Sequence, residues 1–349
     1  MAPLFNQNFL TWSNPSINRG GDSVGGWVEL GRTTLGETND TVSVGSLADK
    51  RYYMVLGDIK PSGNVYTRTW LNADSGTNYS TRFSTNGAAD STITSTNDTV
   101  TNQSTDTTPY FTVQYFANLS SKEKLWMNWS AEQETAGTAP SRTESVNKWA
   151  NTSNPISTIQ QTNEAAGDLA SGTELVVLGW YEADTHTTNF WKQLASVTAG
   201  GASTNISSGT ITAKKYLWVQ AWLESTSAHV TNMTFNNDTT TYAYRNSDDG
   251  GADDGGADVT SESDSHIEIA QSSSTALFTN MFIINNSANE KLVIGHTINQ
   301  GTAGAGAAPN RREFVGKYDN TSSQITEIDL DSSSGNWSSN SIIKVWGSN

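Results

Sequence analysis

WVELGRTTLGETNDTVSVGSLADKRYYMVL, running from Trp27 to Leu56, has a counterpart in WKQLASVTAGGASTNISSGTITAKKYLWVQ, from Trp191 to Gln220. Trp27 aligns with Trp191, Leu30 with Leu194, Gly36 with Gly200, Lys50 with Lys214 and Tyr52 with Tyr216. The match continues downstream in the same order. NADSGTNYSTRFSTNGAAD returns as NNDTTTYAYRNSDDGGAD, so that Asp74, Tyr79, Arg82 and Asp90 are matched by Asp238, Tyr242, Arg245 and Asp253. ANLSSKEKLWMNW returns as INNSANEKLVIGH, APSRTESVNKWANTS as APNRREFVGKYDNTS, and GDLASGTELVVLG as GNWSSNSIIKVWG. The offset stays near about 165 residues, which is a whole domain and far longer than a solenoid or propeller repeat. The sequence therefore predicts a duplicated fold: an N-terminal arm over 1–26, one copy over 27–180 and a second over 181–349.

Each block carries strand chemistry. KRYYMVL and KKYLWVQAWL are rich in β-branched and aromatic residues. TELVVLGW and SIIKVWGS read as closing strands that end on a glycine, and PSGN, ADSG, TNG, DDGG and SSSGN between the blocks are turn formers. No long segment shows apolar residues at helical spacing. The expected class is all-β, with two tandem antiparallel β-sandwiches of jelly-roll-like type. The residues alone leave jelly-roll and immunoglobulin-like order open, although the buried cysteine pair of antibody domains is missing.

Composition narrows the function classes. Only 16% of the 349 residues are charged, which is unlike a long-helix protein, and the twelve Trp, eleven Tyr and ten Phe suffice to build cores. A net charge of −15 with no basic cluster speaks against a nucleic-acid partner. With no cysteine, disulfides and thiolate metal sites are excluded. The N-terminal stretch lacks a basic region followed by an apolar one, and no apolar run is long enough to cross a bilayer as a helix, so neither a secretion signal nor a membrane partner is expected.

SSSGNWSSNSIIKVWGSN, its internal twin AAGDLASGTELVVLGW, and DKRYYMVL followed by LNADSGTNYSTR resemble β-sandwich structural proteins of tailed-phage particles. The resemblance covers most of both copies through short, loose motifs ending in I-x-V-aromatic-G. It implies a virion component, as a capsid, decoration or tail-appendage subunit. Such a subunit would be assembled in the host cytoplasm, located in the extracellular particle, and partnered by copies of itself and other virion proteins. No catalytic residues come with it, and an enzyme is not expected. On architecture alone, tandem jelly rolls are also similar to double jelly-roll capsid proteins of tailless viruses. The competing reading is a carbohydrate-binding module or adhesin, including a receptor-binding fibre domain, with a surface glycan as partner.

Candidate sites follow from residue type. In the arm, Leu4, Phe5, Phe9, Leu10 and Trp12 form an apolar tip suited to docking on a neighbouring subunit. Asp248, Asp249, Asp253, Asp254 and Asp258 offer hard oxygen ligands, which would make calcium the one cofactor to consider, but the spacing is not that of an EF-hand and a solvated loop is the plainer reading. Glu262, Asp264, His266 and Glu268 would share one face of a strand, similar to the acids of laminarinase-type glycoside hydrolases, although the last Glu is one residue late. His186, His229, His266 and His296 show no ligand spacing. Trp70, Trp126, Trp129, Trp218, Trp222 and Trp337 suit either a sugar-stacking platform or core packing. The repeated Arg142/Glu144/Lys148 and Arg311/Glu313/Lys317 suit inter-copy ion pairs, inter-subunit ion pairs or a plain charged surface. Asp74 and Asp238 read as turn caps. Asn39, Asn78, Asn118, Asn128, Asn205, Asn285, Asn320 and Asn336 head glycosylation sequons.

Overall fold

A computed structural model describes residues 26–103, 107–135, 138–181, 184, 188–201, 203–251, 259–301 and 304–349, with 259–263 and 273 as backbone only. The arm residues Leu4, Phe5, Phe9, Leu10 and Trp12 lie outside these described residues, as do Asp253, Asp254, Asp258 and His186.

The first copy forms β1 (Val28–Thr34), β2 (Thr41–Val44), β3 (Tyr52–Ile59), β4 (Thr67–Leu71), β5 (Tyr79–Thr85), β6 (Ser91–Thr96), β7 (Thr99–Val100), β8 (Tyr110–Ala117), β9 (Lys124–Glu132), β10 (Ser141–Trp149), β11 (Ile159–Asn163) and β12 (Glu174–Trp180). The second forms β13 (Lys192–Thr198), β14 (Asn205–Ser207), β15 (Tyr216–Leu223), β16 (His229–Phe235), β17 (Tyr242–Asp248), β18 (Val259–Asp264), β19 (Ile267–Ser273), β20 (Leu277–Ile284), β21 (Lys291–Asn299), β22 (Asn310–Tyr318), β23 (Ile328–Ser332) and β24 (Ile342–Ser348). The first copy's sheets run β1-β12-β3-β8-β9-β10-β5-β6 and β2-β11-β4-β7. Those of the second run β13-β24-β15-β20-β21-β22-β17-β18 and β14-β23-β16-β19. Adding twelve to every strand number of one copy reproduces the other. Setting aside the hairpins β5–β6 and β9–β10, β1-β12-β3-β8 faces β2-β11-β4-β7, which is jelly-roll order. The hairpins then widen one sheet to eight strands.

The repeated residues are those that fix this topology. Leu30 and Leu194 are the extra residues of matching bulges in β1 and β13. Each lies over the glycine of a closing strand: a Cβ on Gly179 would come within 2.5 Å of Leu30, and one on Gly347 within 2.7 Å of Leu194. Tyr79 and Tyr242 donate from their hydroxyls to Leu71 O and Phe235 O and accept from the same residues' N–H groups. Asn72 and Asn236, both left-handed at φ 54° and 55°, cap the strand entries at Thr158 and Thr326. The buried ammonium groups of Lys124 and Lys291 donate to the loop carbonyls of Asn151 and Asn320. Asp74 and Asp238 cap turns, as expected, through Gly76 N and Thr240 N.

Three cores result. Tyr53, Val55 and Ile59 of β3 point between the first copy's sheets, while Met54 and Leu56 point the other way, into a core shared with the second copy. Both faces of β3 are therefore covered, so its sequence is a continuous apolar run rather than an alternating one. The second copy has its own core around Leu217, Val219, Met281 and Trp337. The large sheets thus lie back to back, with a small sheet on the outside of each.

Candidate functional site

Strand registers define which residues of the two copies are equivalent. Met54 lies between Leu178 and Tyr115, as Trp218 lies between Trp346 and Phe282. Glu144 faces Trp129, as Glu313 faces His296. On this basis equivalent residues touch across the inter-copy interface. The Tyr115 and Phe282 rings are 6.1 Å apart, and those of Trp129 and His296 are 5.2 Å apart. Glu144 and Glu313 share Arg142, at 3.6 and 3.5 Å. Self-contact of equivalent positions is the mark of a two-fold axis, so the copies are related by an approximate dyad. A small cavity of about 200 Å³ lies on it, lined by Val113, Tyr115, Met127, Trp129 and their equivalents Asn280, Phe282, Ile294 and His296.

A true dyad would give two identical halves, but here one is closed and the other open. In the closed half, Met54, Leu56, Phe111, Val113, Val176 and Leu178 of the first copy pack on Tyr216, Ile284, Leu292, Ile294 and Val315 of the second. Phe111 meets Tyr216 with ring centres 6.2 Å apart. Their equivalents, Phe278 and Tyr52, instead line an open trough of about 1220 Å³. Leu125, Met127 and Val146, the equivalents of buried Leu292, Ile294 and Val315, are 54%, 47% and 52% exposed on its floor.

Substitution at equivalent positions explains why only one half closes. Leu56, Val113 and Val176 become Gln220, Asn280 and Lys344; Gln220 and Trp218 donate to Asn280 at 3.1 and 2.7 Å, a polar group of side chains that offers no aliphatic partner to Leu125, Met127 and Val146. The closed half is also clamped at its edge. Lys215 Nζ lies 2.8 Å from Asp58 and 3.0 Å from Glu174, and the Tyr216 hydroxyl donates to Glu174 at 2.8 Å. Asn286 donates to Asp58 at 3.0 Å. Burial alone would raise the Glu174 carboxyl, but Lys215, Thr34 and Tyr216 outweigh it and hold it below the ordinary glutamate value. Burial, joined by Asp58 and Glu174, pushes the Tyr216 hydroxyl well above its ordinary value. In the open half, Trp222 and Ile342 stand where Asp58 and Glu174 do, so neither position offers a carboxylate to Arg51, the equivalent of Lys215.

At the other margin the repeated charges separate in the same way. Lys317 donates to the carbonyls of Gln133 and Thr135, and Arg245 to that of Pro140, so the second copy grips a loop of the first. Their equivalents Lys148 and Arg82 stay within their own copy, paired with Glu123 and Asp90, and line the trough.

Glu144, His296 and Glu313 bring ligand atoms within 4.8 Å of one another. Arg142 already contacts both carboxylates and Arg311 is 2.7 Å from Glu313, so the acidic charge is met by protein cations and the cluster reads as an inter-copy ion network. Burial raises the Glu144 carboxyl, but the His296 hydrogen bond and the charges of Arg142 and Arg311 overcome this and hold it below its ordinary value.

The other sequence candidates disperse. Asp248 accepts from Nε and Nη2 along one edge of the Arg312 guanidinium, both at 2.6 Å, and Asp249 accepts the Arg311 N–H at 2.8 Å. The expectation that Glu262, Asp264, His266 and Glu268 share a strand face is corrected. The chain turns at Ser265 and His266, leaving β18 in the large sheet and β19 in the small one, and Glu268 pairs with Arg312. Trp126 and Trp337 are core residues, and Trp129 and Trp218 pack between the copies. Trp70 is half-buried on β4, and Trp222 is exposed. His229 is buried edge-on against Trp337. The sequons at Asn118, Asn128 and Asn285 are buried, and Asn118 and Asn285 do equivalent work, bonding Lys50 O with Ile156 N and Lys214 O with Ile325 N.

No family model matches the chain, and no curated protein does. Among solved structures, human GIVD cytosolic phospholipase A2 aligns over 79% of this chain and 33% of its own, at 7% identity and TM-score 0.12. The C2A and C2B domains of Extended-Synaptotagmin 2 align over 79% and 94%, at 6% identity and TM-score 0.11. The chain thus spans about a third of the phospholipase, and alignments at this level bear on neither fold nor function.

Proposed function

We propose that this chain is a structural subunit of an extracellular assembly, a virus particle, in a capsid, decoration or tail-appendage role. The observation that carries the reading is the fusion of two jelly rolls, back to back, into one block through a shared apolar core with ion pairs at both margins. Such a block suits a building unit, because a duplicated fold can occupy two quasi-equivalent places within an assembly. An exposed aliphatic stripe, Leu125, Met127 and Val146, supports contact with protein. The contacts in this reading are the sandwich faces and the N-terminal arm, with further copies and other virion proteins as partners. Light scattering and electron microscopy of the purified chain test it. Regular rings, sheets or shells are expected, and a clean monomer at all accessible concentrations would contradict it.

A second reading, a carbohydrate-binding module, draws on the Tyr52–Trp180 stack at the trough, with ring centres 5.3 Å apart and Tyr52 36% exposed. Sugars stack on aromatic faces, whereas the most exposed side chains of the trough floor, Leu125, Met127 and Val146, are aliphatic, which favours the first reading. Glycan-array binding lost on Trp180→Ala would reverse that order.

A further inference from the structure

The dyad also relates the segments that lead into each copy. Trp191 opens the second copy and Trp27 the first. Trp191 packs on Phe282 and Trp27 on Tyr115, both with ring centres 6.1 Å apart. Ahead of Trp191, Phe190 enters the inter-copy core, stacking edge-on on Trp191 and lying 6.3 Å from the Tyr216 ring. Ahead of Trp27 stands Gly26, which has no side chain to do the same, and both residues line the trough. The wedge filled on one side by a chain segment is left open on the other at the point where residues 1–25 join.

We propose that the trough is the docking site of this chain's own N-terminal segment, with Leu4, Phe5, Phe9, Leu10 and Trp12 covering Tyr52, Leu125, Met127 and Val146. Reach permits it: the thirteen residues between Trp12 and Gly26 span up to about 45 Å when extended. Chemistry fits a peptide. In the closed half, Lys317 and Arg245 bind main-chain carbonyls, and their equivalents Lys148 and Arg82 stand at the trough with the same donors. Covalent attachment favours the chain's own segment over a second copy's, because the effective concentration of a short tether is in the millimolar range. The inference rests on the interface geometry and not on the particle-building reading. Within an assembly, the same segment would be free to exchange between neighbours.

The absence of native cysteine makes the test direct. Phe9→Cys is combined with Met127→Cys in the trough or, as control, with Thr38→Cys on an exposed loop of the same copy. Mild oxidation of the dilute monomer should close the Phe9–Met127 pair within one chain roughly tenfold faster than the control pair, at a rate independent of protein concentration. In parallel, replacing the five apolar arm residues by Ser in the otherwise unchanged chain should raise hydrogen exchange in β9 while leaving β21 unchanged. Equal rates for the two cysteine pairs, cross-links only between chains, or unchanged exchange in β9 would each overturn the proposal. No assembly by the reduced, uncross-linked chain, together with fast Phe9–Met127 closure on oxidation, would sink the proposed function and leave this inference standing.

Discussion

The two halves of the inter-copy interface use the same strands at equivalent positions and reach opposite outcomes. Leu292 is 2% exposed and its equivalent Leu125 is 54% exposed, although their strands pair identically. The difference lies in the residues opposite. Closure needs apolar partners and an edge clamp, and the first copy supplies both to the second through Leu56, Val113 and Val176 with Asp58 and Glu174. Gln220, Asn280 and Lys344 with Trp222 and Ile342 supply neither in return. The two copies thus share their strand order and their internal anchors and differ at their contact surface.

The comparison can be broken most strongly at the clamp. Glu174→Ala strips the buried Tyr216 hydroxyl of its acceptor and leaves Lys215 with Asp58 alone, and should cost about 3 kcal/mol, read by denaturant unfolding. The equivalent change, Ile342→Ala, should cost about 1 kcal/mol. A smaller effect is expected from copying the closed half onto the open one. Gln220→Leu, Asn280→Val and Lys344→Val together should stabilise the chain by about 1–2 kcal/mol and draw the trough walls together, seen as a smaller radius in solution scattering. Lower stability with an unchanged radius would show that polarity opposite the stripe is not what holds it open.

The smallest effect is a pH dependence at the shared margin. The folded-state Glu144 carboxyl lies below its unfolded value, so its contribution is present above the ordinary glutamate range and is lost as pH falls through the folded value. Unfolding free energy measured from pH 7 to pH 3 should therefore drop less in Glu144→Gln than in the parent, by up to about 1 kcal/mol. An identical profile would remove Glu144 from the network.

Much of the fold was legible because its anchors are local and repeated. Leu30/Leu194 with their closing glycines, Tyr79/Tyr242 and Asp74/Asp238 keep their types in both copies, so the duplication and the strand chemistry could be read together. Jelly-roll order could not, since it depends on which strands pair over long separations. The interface was only half legible. The repeated Arg-Glu pattern left inter-copy pairs, inter-subunit pairs and a plain charged surface open, and Arg142 with Glu313 realises the first. The clamp was missed because Asp58, Glu174 and Lys215 are not repeated, and the trough because exposure of Leu125 depends on what faces it, not on its own strand. Lys124 and Lys291 look like surface charges in sequence, and only the loops above them show why they are buried. Asn118 and Asn285 read as sequons because the residue type that bonds two backbone groups is also the one that heads that motif.

The most direct test compares one residue type at two equivalent positions: Leu292→Ala and Leu125→Ala, each in the chain lacking residues 1–25 so that nothing of its own covers the trough. Chemical denaturation should show a loss of about 3 kcal/mol for Leu292→Ala and under about 0.5 kcal/mol for Leu125→Ala. Equal losses would contradict the account, because they would mean that the two halves of the interface are closed alike.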